Sequence, residues 1–262
     1  MKSDTEAALS ATVAGAYRWA GRPNPHQRQW RRTLRWMLGM QAVLGLWFWG
    51  VILVNALIAY VVAAQFGPMQ VSIFQFVTHG ALWFPFSIMI ITSAAAITTH
   101  VAQGRTRRSF IQAALLTVLA VAVVYGVLMT VGMHLEGALY ESLDWTQGHI
   151  ADDTSSTPPL TPWQEPLGLT LLTYITRTGA GAMAGLLVGV SYYRFGGWRG
   201  TGLLILTALP ALAAQESISG FFRDSVNNPL LVSSVVSLVL IGAGAIAYYL
   251  LTRNLSINNP RT

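Results

Sequence analysis

The sequence predicts an all-α integral membrane protein with six transmembrane helices and both termini in the cytoplasm. Of its 262 residues, 53% are apolar and only 10% are charged, and its mean hydropathy is +0.49. A soluble domain of this size carries far more charge. The apolar residues are gathered into six runs, as in multi-pass helical proteins. The breaks assigned to one side hold 14 basic and two acidic residues, a bias that indicates the cytoplasmic side.

Two cytoplasmic segments are predicted before the first span. Residues 1–23 are polar and lack the apolar run of a signal peptide. Residues 24–36 are predicted to form an amphipathic interfacial helix, because Asn24 and Pro25 are favoured where a helix begins. In that helix, arginines would face anionic lipid and tryptophans would lie at headgroup depth. The residues concerned are Trp30, Arg31, Arg32, Arg35 and Trp36. The alternative is a basic stretch that only flanks the first span.

The transmembrane domain is predicted to cover residues 37–251. Its first three spans are placed at 37–64, 74–99 and 111–133, each at least as long as the ~20 residues that a bilayer requires. Pro85 lies inside the second span and predicts a kink, because proline removes a backbone hydrogen bond.

An outer loop is predicted at residues 134–165, which contain six acidic residues and no basic one. Leu135, Leu139 and Leu143 keep helical spacing, so the third helix is expected either to continue beyond the membrane or to turn onto its surface. The proline-rich polar stretch that follows predicts an irregular loop.

The last three spans are predicted at 167–190, 202–222 and 230–251, followed by a cytoplasmic tail at 252–262. The apolar part of the fifth ends after 14 residues at Gln215, short of the ~17 residues at the low end for a full span. A broken helix is therefore expected, with a re-entrant stretch after Glu216 and before the sixth helix.

Arg177 is predicted to lie within the fourth span, where a charge costs at least about 2.5 kcal/mol. Its candidate partners are Glu216 and Glu165. We expect Arg177 and Glu216 either to line a substrate path as a charge pair or to form a structural tether between the fourth and fifth segments.

Gly181, Gly185 and Gly189 recur at every fourth position of the fourth span. Such a row lets another helix approach the backbone closely. We expect it to serve helix packing, either within the chain or between subunits.

Motifs for catalysis are absent from the sequence. Lys2 is the only lysine, so the chain cannot contain a phosphate-binding GxxxxGK[ST] loop, and it has no cysteine, HExxH or GxSxG. His134, His149, Asp152 and Asp153 lack the spacing of metal ligands. We therefore expect no enzyme activity, no metal and no cofactor in this chain. The net charge of +6 resides in the breaks between apolar runs, which indicates topology rather than nucleic-acid binding.

A short polar break at residues 100–110 separates the second and third spans and contains three arginines. Together with the interfacial helix, the six spans and the short fifth segment, its GRTRRSF stretch resembles the permease subunits of ABC-2-type exporters. The stretch also resembles small permeases encoded beside separate ATPase genes in actinobacteria.

The resemblance implies a non-catalytic permease that exports a hydrophobic or amphipathic compound, such as a drug, peptide or lipid-like molecule, across the cytoplasmic membrane. Two copies of a separate cytoplasmic subunit would bind ATP and Mg²⁺, and a second or related permease would complete the assembly. The loop between the second and third spans would be the contact to the ATPase, through Gly104, Arg105, Thr106, Arg107, Arg108 and Phe110. The alternative is that these arginines only fix topology.

Two other functions fit the same sequence. A self-contained secondary transporter would use Arg177 and Glu216 for ion coupling, although internal repeats that are common in such transporters are not evident. A membrane scaffold or sensor subunit would have no transport activity.

Overall fold

A computed structural model describes residues 29–67, 70–150, 160–162, 165–215 and 228–255. Almost all of them are helical, and five helices are long and apolar enough to cross a membrane. This confirms the predicted all-α class and the multi-pass membrane character. The helices are α1 (Gln29–Phe66), α2 (Val77–Ala102), α3 (Arg107–Ser142), α4 (Leu167–Gly202), α5 (Leu204–Ala213) and α6 (Pro229–Arg253), and a 3-10 turn, Phe74–Phe76, leads into α2.

The outer segment contains more regular structure than the sequence predicted. The third helix continues to Ser142, as the leucine spacing allowed. Beyond it, β1 (Gly148–Ile150) and β2 (Leu160–Pro162) form an antiparallel pair in which His149 lies opposite Thr161. The prediction of an irregular loop at residues 152–162 was wrong for the three residues of β2, because a strand pair made by so short a segment leaves no alternating pattern.

A separate interfacial helix is absent from the described part of 24–36. Residues 29–36 instead form the first two turns of α1, which continues unbroken to Phe66. Neither glycine nor proline lies between Arg35 and Met37 to break the helix there. The start of α1 also packs against the rest of the bundle. The Thr33 hydroxyl lies 3.5 Å from His100 Nδ1. The predicted segments 1–23 and 24–28 lie outside the described residues.

α4 is the central helix of the bundle and packs against α2, α3, α5 and α6. Of its most apolar 18-residue stretch, 78% is buried, whereas the same fraction is 11% for α1. α4 is also the least apolar of the five long helices. In lipid this is the expected arrangement, because polar and small side chains are favoured against protein rather than hydrocarbon.

The glycine row of α4 packs against α2 within the chain. A Cβ atom at Gly181 would lie 2.6 Å from the carbonyl oxygen of Leu82, and one at Gly189 would lie 2.5 Å from that of Ile90. At Gly185 a Cβ would overlap the carbonyl oxygen of Phe86. Because contacts on both helices advance by four residues, α2 and α4 run parallel in close backbone contact.

Five helix ends lie together at what we call the arginine end of the bundle. The backbone N–H of Thr106 donates to Gln29 Oε1 at 3.3 Å, which joins the start of α1 to the turn before α3. Arg107 Nη1 donates to the carbonyl oxygen of Arg253 at 3.4 Å, and Arg194 Nη1 donates to that of Leu251 at 2.6 Å. The last turn of α6 is therefore beside the start of α3 and the last part of α4.

α5 has ten residues and continues through Pro210. It spans about 15 Å, half of the ~30 Å hydrocarbon core. The short fifth segment expected from the sequence is thus present as a half-length helix. Residues 216–227, which include Glu216 and the expected re-entrant stretch, lie outside the described residues, as does 256–262 of the tail.

The fourth helix extends beyond its predicted end at residue 190, through the segment expected to be a cytoplasmic loop. At Gly196 its backbone leaves helical geometry, with φ 78° and ψ 176°. This conformation is essentially restricted to glycine, so Gly196 produces the bend that redirects the last six residues of α4.

Candidate functional site

The first candidate site is the arginine turn, residues 103–108, which joins α2 to α3 and includes the first two residues of α3. Gly104 has a φ of +73°, which lets the chain reverse within four residues. Thr106 then caps α3, because its side chain accepts a hydrogen bond from the backbone N–H of Ser109. Arg108 is exposed, whereas Arg105 and Arg107 are half-buried. The turn presents positive charge at the end of two long helices.

The arginine turn is anchored to the bundle by residues on both sides of it. Phe110 is 0% exposed, and its ring centroid lies 5.3 Å from that of His100. His100 Nε2 also lies 3.1 Å from the Ser109 hydroxyl. Of the predicted coupling residues, Phe110 is therefore a core residue, and the arginines are the ones that can reach a partner. A displacement of the turn would be transmitted directly to α2 and α3.

The predicted interfacial residues lie near this turn. Arg31, Arg32, Arg35 and Trp36 are exposed on the first two turns of α1, and Trp30 is half-buried beneath the Arg31 guanidinium, 5.4 Å from its ring centroid. They add two aromatic and three cationic groups to the arginine end.

Arg177 is buried in α4, with 7% of its surface exposed. Its predicted partner Glu216 lies outside the described residues, so the predicted charge pair stays a prediction. Glu165, the other candidate partner, precedes α4 and is half-buried.

Glu136 forms a polar cluster that sequence reasoning missed. It is 3% exposed on α3, and its carboxylate accepts hydrogen bonds from Tyr60 at 2.7 Å, from the backbone N–H of Phe74 at 2.9 Å and from Gln147 at 3.0 Å. The Ser72 hydroxyl donates a fourth. A buried carboxylate is tolerated when its oxygens are satisfied in this way. The cluster ties α1, the 70–76 segment and the outer segment to α3.

A large apolar groove lies between α1 and α3. Its volume is about 940 Å³, at the upper end of the range of small-molecule sites. Along α1 it extends from Leu38 to Tyr60, about 33 Å at 1.5 Å per residue. Glu136 lines it near the Tyr60 end, and Gln41, Trp49 and Tyr125 contribute polar atoms nearer the arginine end. The groove is long enough for an extended hydrocarbon chain.

No group of His, Cys, Asp or Glu among the described residues could hold a metal ion. No family model, curated protein or solved structure matches the chain.

One sequence signal pointed toward the Glu136 cluster. The leucine spacing from Leu135 to Leu143 extends the third helix past residue 133, which places Glu136 inside a helix and requires partners for its carboxylate. Nothing in the sequence indicates that Tyr60 and Ser72 supply them, because they are more than 60 residues away. The groove has no sequence signal, since its walls are ordinary apolar faces.

Proposed function

We propose that this chain is a permease subunit of an ATP-driven exporter in the cytoplasmic membrane. The observation that carries the proposal is the arginine turn, a cationic element fixed between α2 and α3 by the buried Phe110. A separate ATPase with an acidic groove would recognise this charge. Since the chain has only one lysine, at position 2, and hence no lysine-bearing phosphate loop, ATP and Mg²⁺ would be bound by the partner.

A topology of six crossings with both termini inside is part of this proposal. α4 and α6 both end at the arginine end. They also run in the same direction, because Thr173 near the start of α4 lies 3.3 Å from Ser234 near the start of α6. This supports a return crossing between α4 and α6, of which α5 would form the first half.

The transported compound is hydrophobic or amphipathic in this proposal. The groove between α1 and α3 supports this assignment, because its lining is almost entirely apolar and its length matches a lipid or a drug with a long aliphatic part. Two copies of the permease, or this chain with a related permease, would bind two ATPase subunits.

The experiment is affinity purification of the full chain from its native membrane, followed by identification of the bound proteins. An ATPase subunit should be recovered. The variant Arg108→Glu should reduce that recovery at least tenfold, because it reverses the charge of an exposed side chain in the turn.

Arg199→Glu is the matched control, since Arg199 is exposed on the last part of α4 outside the turn. It should retain the ATPase. Recovery of the chain without an ATPase, or equal losses for the two variants, would contradict the proposal.

A secondary transporter is the second candidate, and the Glu136 cluster is the observation that favours it. Its carboxylate is buried and lines a groove of substrate size. Proton-coupled carriers use buried carboxylates in such positions to bind and release the proton. Uptake or efflux by the purified chain in vesicles, driven by a proton gradient without ATP and abolished in Glu136→Gln, would establish this function instead.

A further inference from the structure

The wall of the groove contains three buried polar atoms that have no hydrogen-bond partner among the described residues. They are Gln41 Oε1, Trp49 Nε1 and the Tyr125 hydroxyl. Gln41 is 5% exposed and Tyr125 is 3% exposed. Burying a polar atom without a partner costs about 1–3 kcal/mol, and such groups are rare in native structures. Three of them in one groove require a reason.

The three residues lie along one stretch of the groove wall. Gln41, Gly45 and Trp49 recur at every fourth position of α1 and therefore share a face. The Tyr125 hydroxyl lies 3.2 Å from where a Cβ of Gly45 would be, and the rings of Trp49 and Tyr125 are 5.5 Å apart. We call Gln41, Trp49 and Tyr125 the groove triad. The hydrogen bond that the Gln41 amide nitrogen makes within the described residues goes to a weak acceptor, the Met89 sulfur, at 3.9 Å.

The residues of the triad line the groove, but their unpartnered atoms have almost no exposed surface, so these side chains would have to rotate to offer donors and acceptors to a ligand. Gln41 Oε1 accepts, the Trp49 indole N–H donates, and the Tyr125 hydroxyl does either. No charged residue among the described ones lines this part of the groove; Glu136 is 11 residues further along α3 than Tyr125, about 16 Å away, and its oxygens are already engaged. The triad therefore fits a neutral group that both donates and accepts.

We propose that the groove between α1 and α3 binds a neutral, elongated amphiphile whose amide or hydroxyl group contacts the groove triad. Its hydrocarbon part would lie along the apolar walls toward Glu136. This inference rests on the proposed function, because it names the class of compound that the permease would move. It excludes fixed cations and anions, which would be left without a counter-charge at the triad.

The test uses the full chain in phosphatidylcholine nanodiscs without any ATPase. The probe is a long-chain N-methyl amide that carries a diazirine and a terminal alkyne. A second probe replaces the amide by methylene groups. The amide probe should cross-link to peptides of α1 and α3, and the hydrocarbon probe should label them at least fivefold less, because one net hydrogen bond corresponds to about a five- to tenfold change in affinity.

Two variants separate recognition from folding. Gln41→Leu and Tyr125→Phe should each lower labelling by the amide probe about fivefold. Neither should lower the thermal midpoint of the protein, because each removes a buried polar atom that has no partner among the described residues. Asn55→Leu is the matched control on α1, since Asn55 is exposed and donates a hydrogen bond to the carbonyl oxygen of Val51 in its own helix. It should leave labelling unchanged.

Equal labelling by the two probes would overturn the inference, because the groove would then hold hydrocarbon without recognising a polar group. Undiminished labelling of Tyr125→Phe together with Gln41→Leu would overturn it as well. The result is independent of the ATPase experiment. If the chain co-purifies with an ATPase but shows no selective labelling, the proposed function stands and this binding site is refuted. If labelling is selective but no ATPase is recovered, the binding site stands and the ATP-driven mechanism is refuted.

Discussion

Replacing Gly185 by alanine should destabilise the contact between α2 and α4. The added Cβ would overlap the carbonyl oxygen of Phe86 and lie 2.9 Å from the Cβ of Met89. Ordinary contacts are 3.4–4 Å, so the two helices would have to separate by roughly 1 Å, which forfeits about a quarter to a half of the dispersion attraction of the atoms involved. A helical carbonyl cannot rotate away as a side chain can.

The magnitude follows from two opposing effects. Overpacking costs about 1–3 kcal/mol. We expect the upper part of that range because the added Cβ clashes with backbone atoms. Alanine recovers about 1 kcal/mol of helix propensity relative to glycine. The net loss in the free energy of unfolding should be about 2 kcal/mol.

The measurement is unfolding of the purified chain by SDS titration, followed by the fluorescence of its nine tryptophans. Gly242→Ala in α6 is the control, because a Cβ there meets nothing within 4 Å. It should be neutral or up to about 1 kcal/mol more stable. If Gly185→Ala unfolded at the same SDS fraction as Gly242→Ala, the close packing deduced for α2 and α4 would be refuted.

Two further predictions concern the Glu136 cluster and the bend in α4. Glu136→Leu should lower the free energy of unfolding by at least about 3 kcal/mol in the same titration, because it leaves several donors, among them Tyr60 and Ser72, without their acceptor. Glu136→Gln keeps one acceptor oxygen and should lose less; equal losses would be inconsistent with this account. Gly196→Ala should cost about 1–3 kcal/mol through its positive φ alone, since no atom lies within 4 Å of the added Cβ. Gly197→Ala, equally uncrowded but without a positive φ, should cost little, and similar midpoints for these two variants would disprove the strain.

Parts of the architecture followed from the sequence because they depend on local properties. Hydropathy located the five long helices, and proline with asparagine placed the start of α6, where the Asn228 side chain accepts a hydrogen bond from the Leu231 N–H. The row from Gly181 to Gly189 indicated close packing from its spacing alone. The prediction of a separate helix that ends near residue 36 was wrong, because a change from polar to apolar sequence marks a change of environment and a helix passes through it without breaking.

By itself, then, the sequence determined the class of this protein and the positions of its long helices, since hydrophobicity belongs to individual residues. Only the tertiary structure decided which helix is central, which neighbour the glycine row contacts, and that Tyr60, Ser72 and Gln147 meet at Glu136. It also created the groove between α1 and α3 and placed Gln41, Trp49 and Tyr125 in its wall. These features depend on how helices distant in the chain fit together, and shape complementarity of that kind is not a property of any single segment.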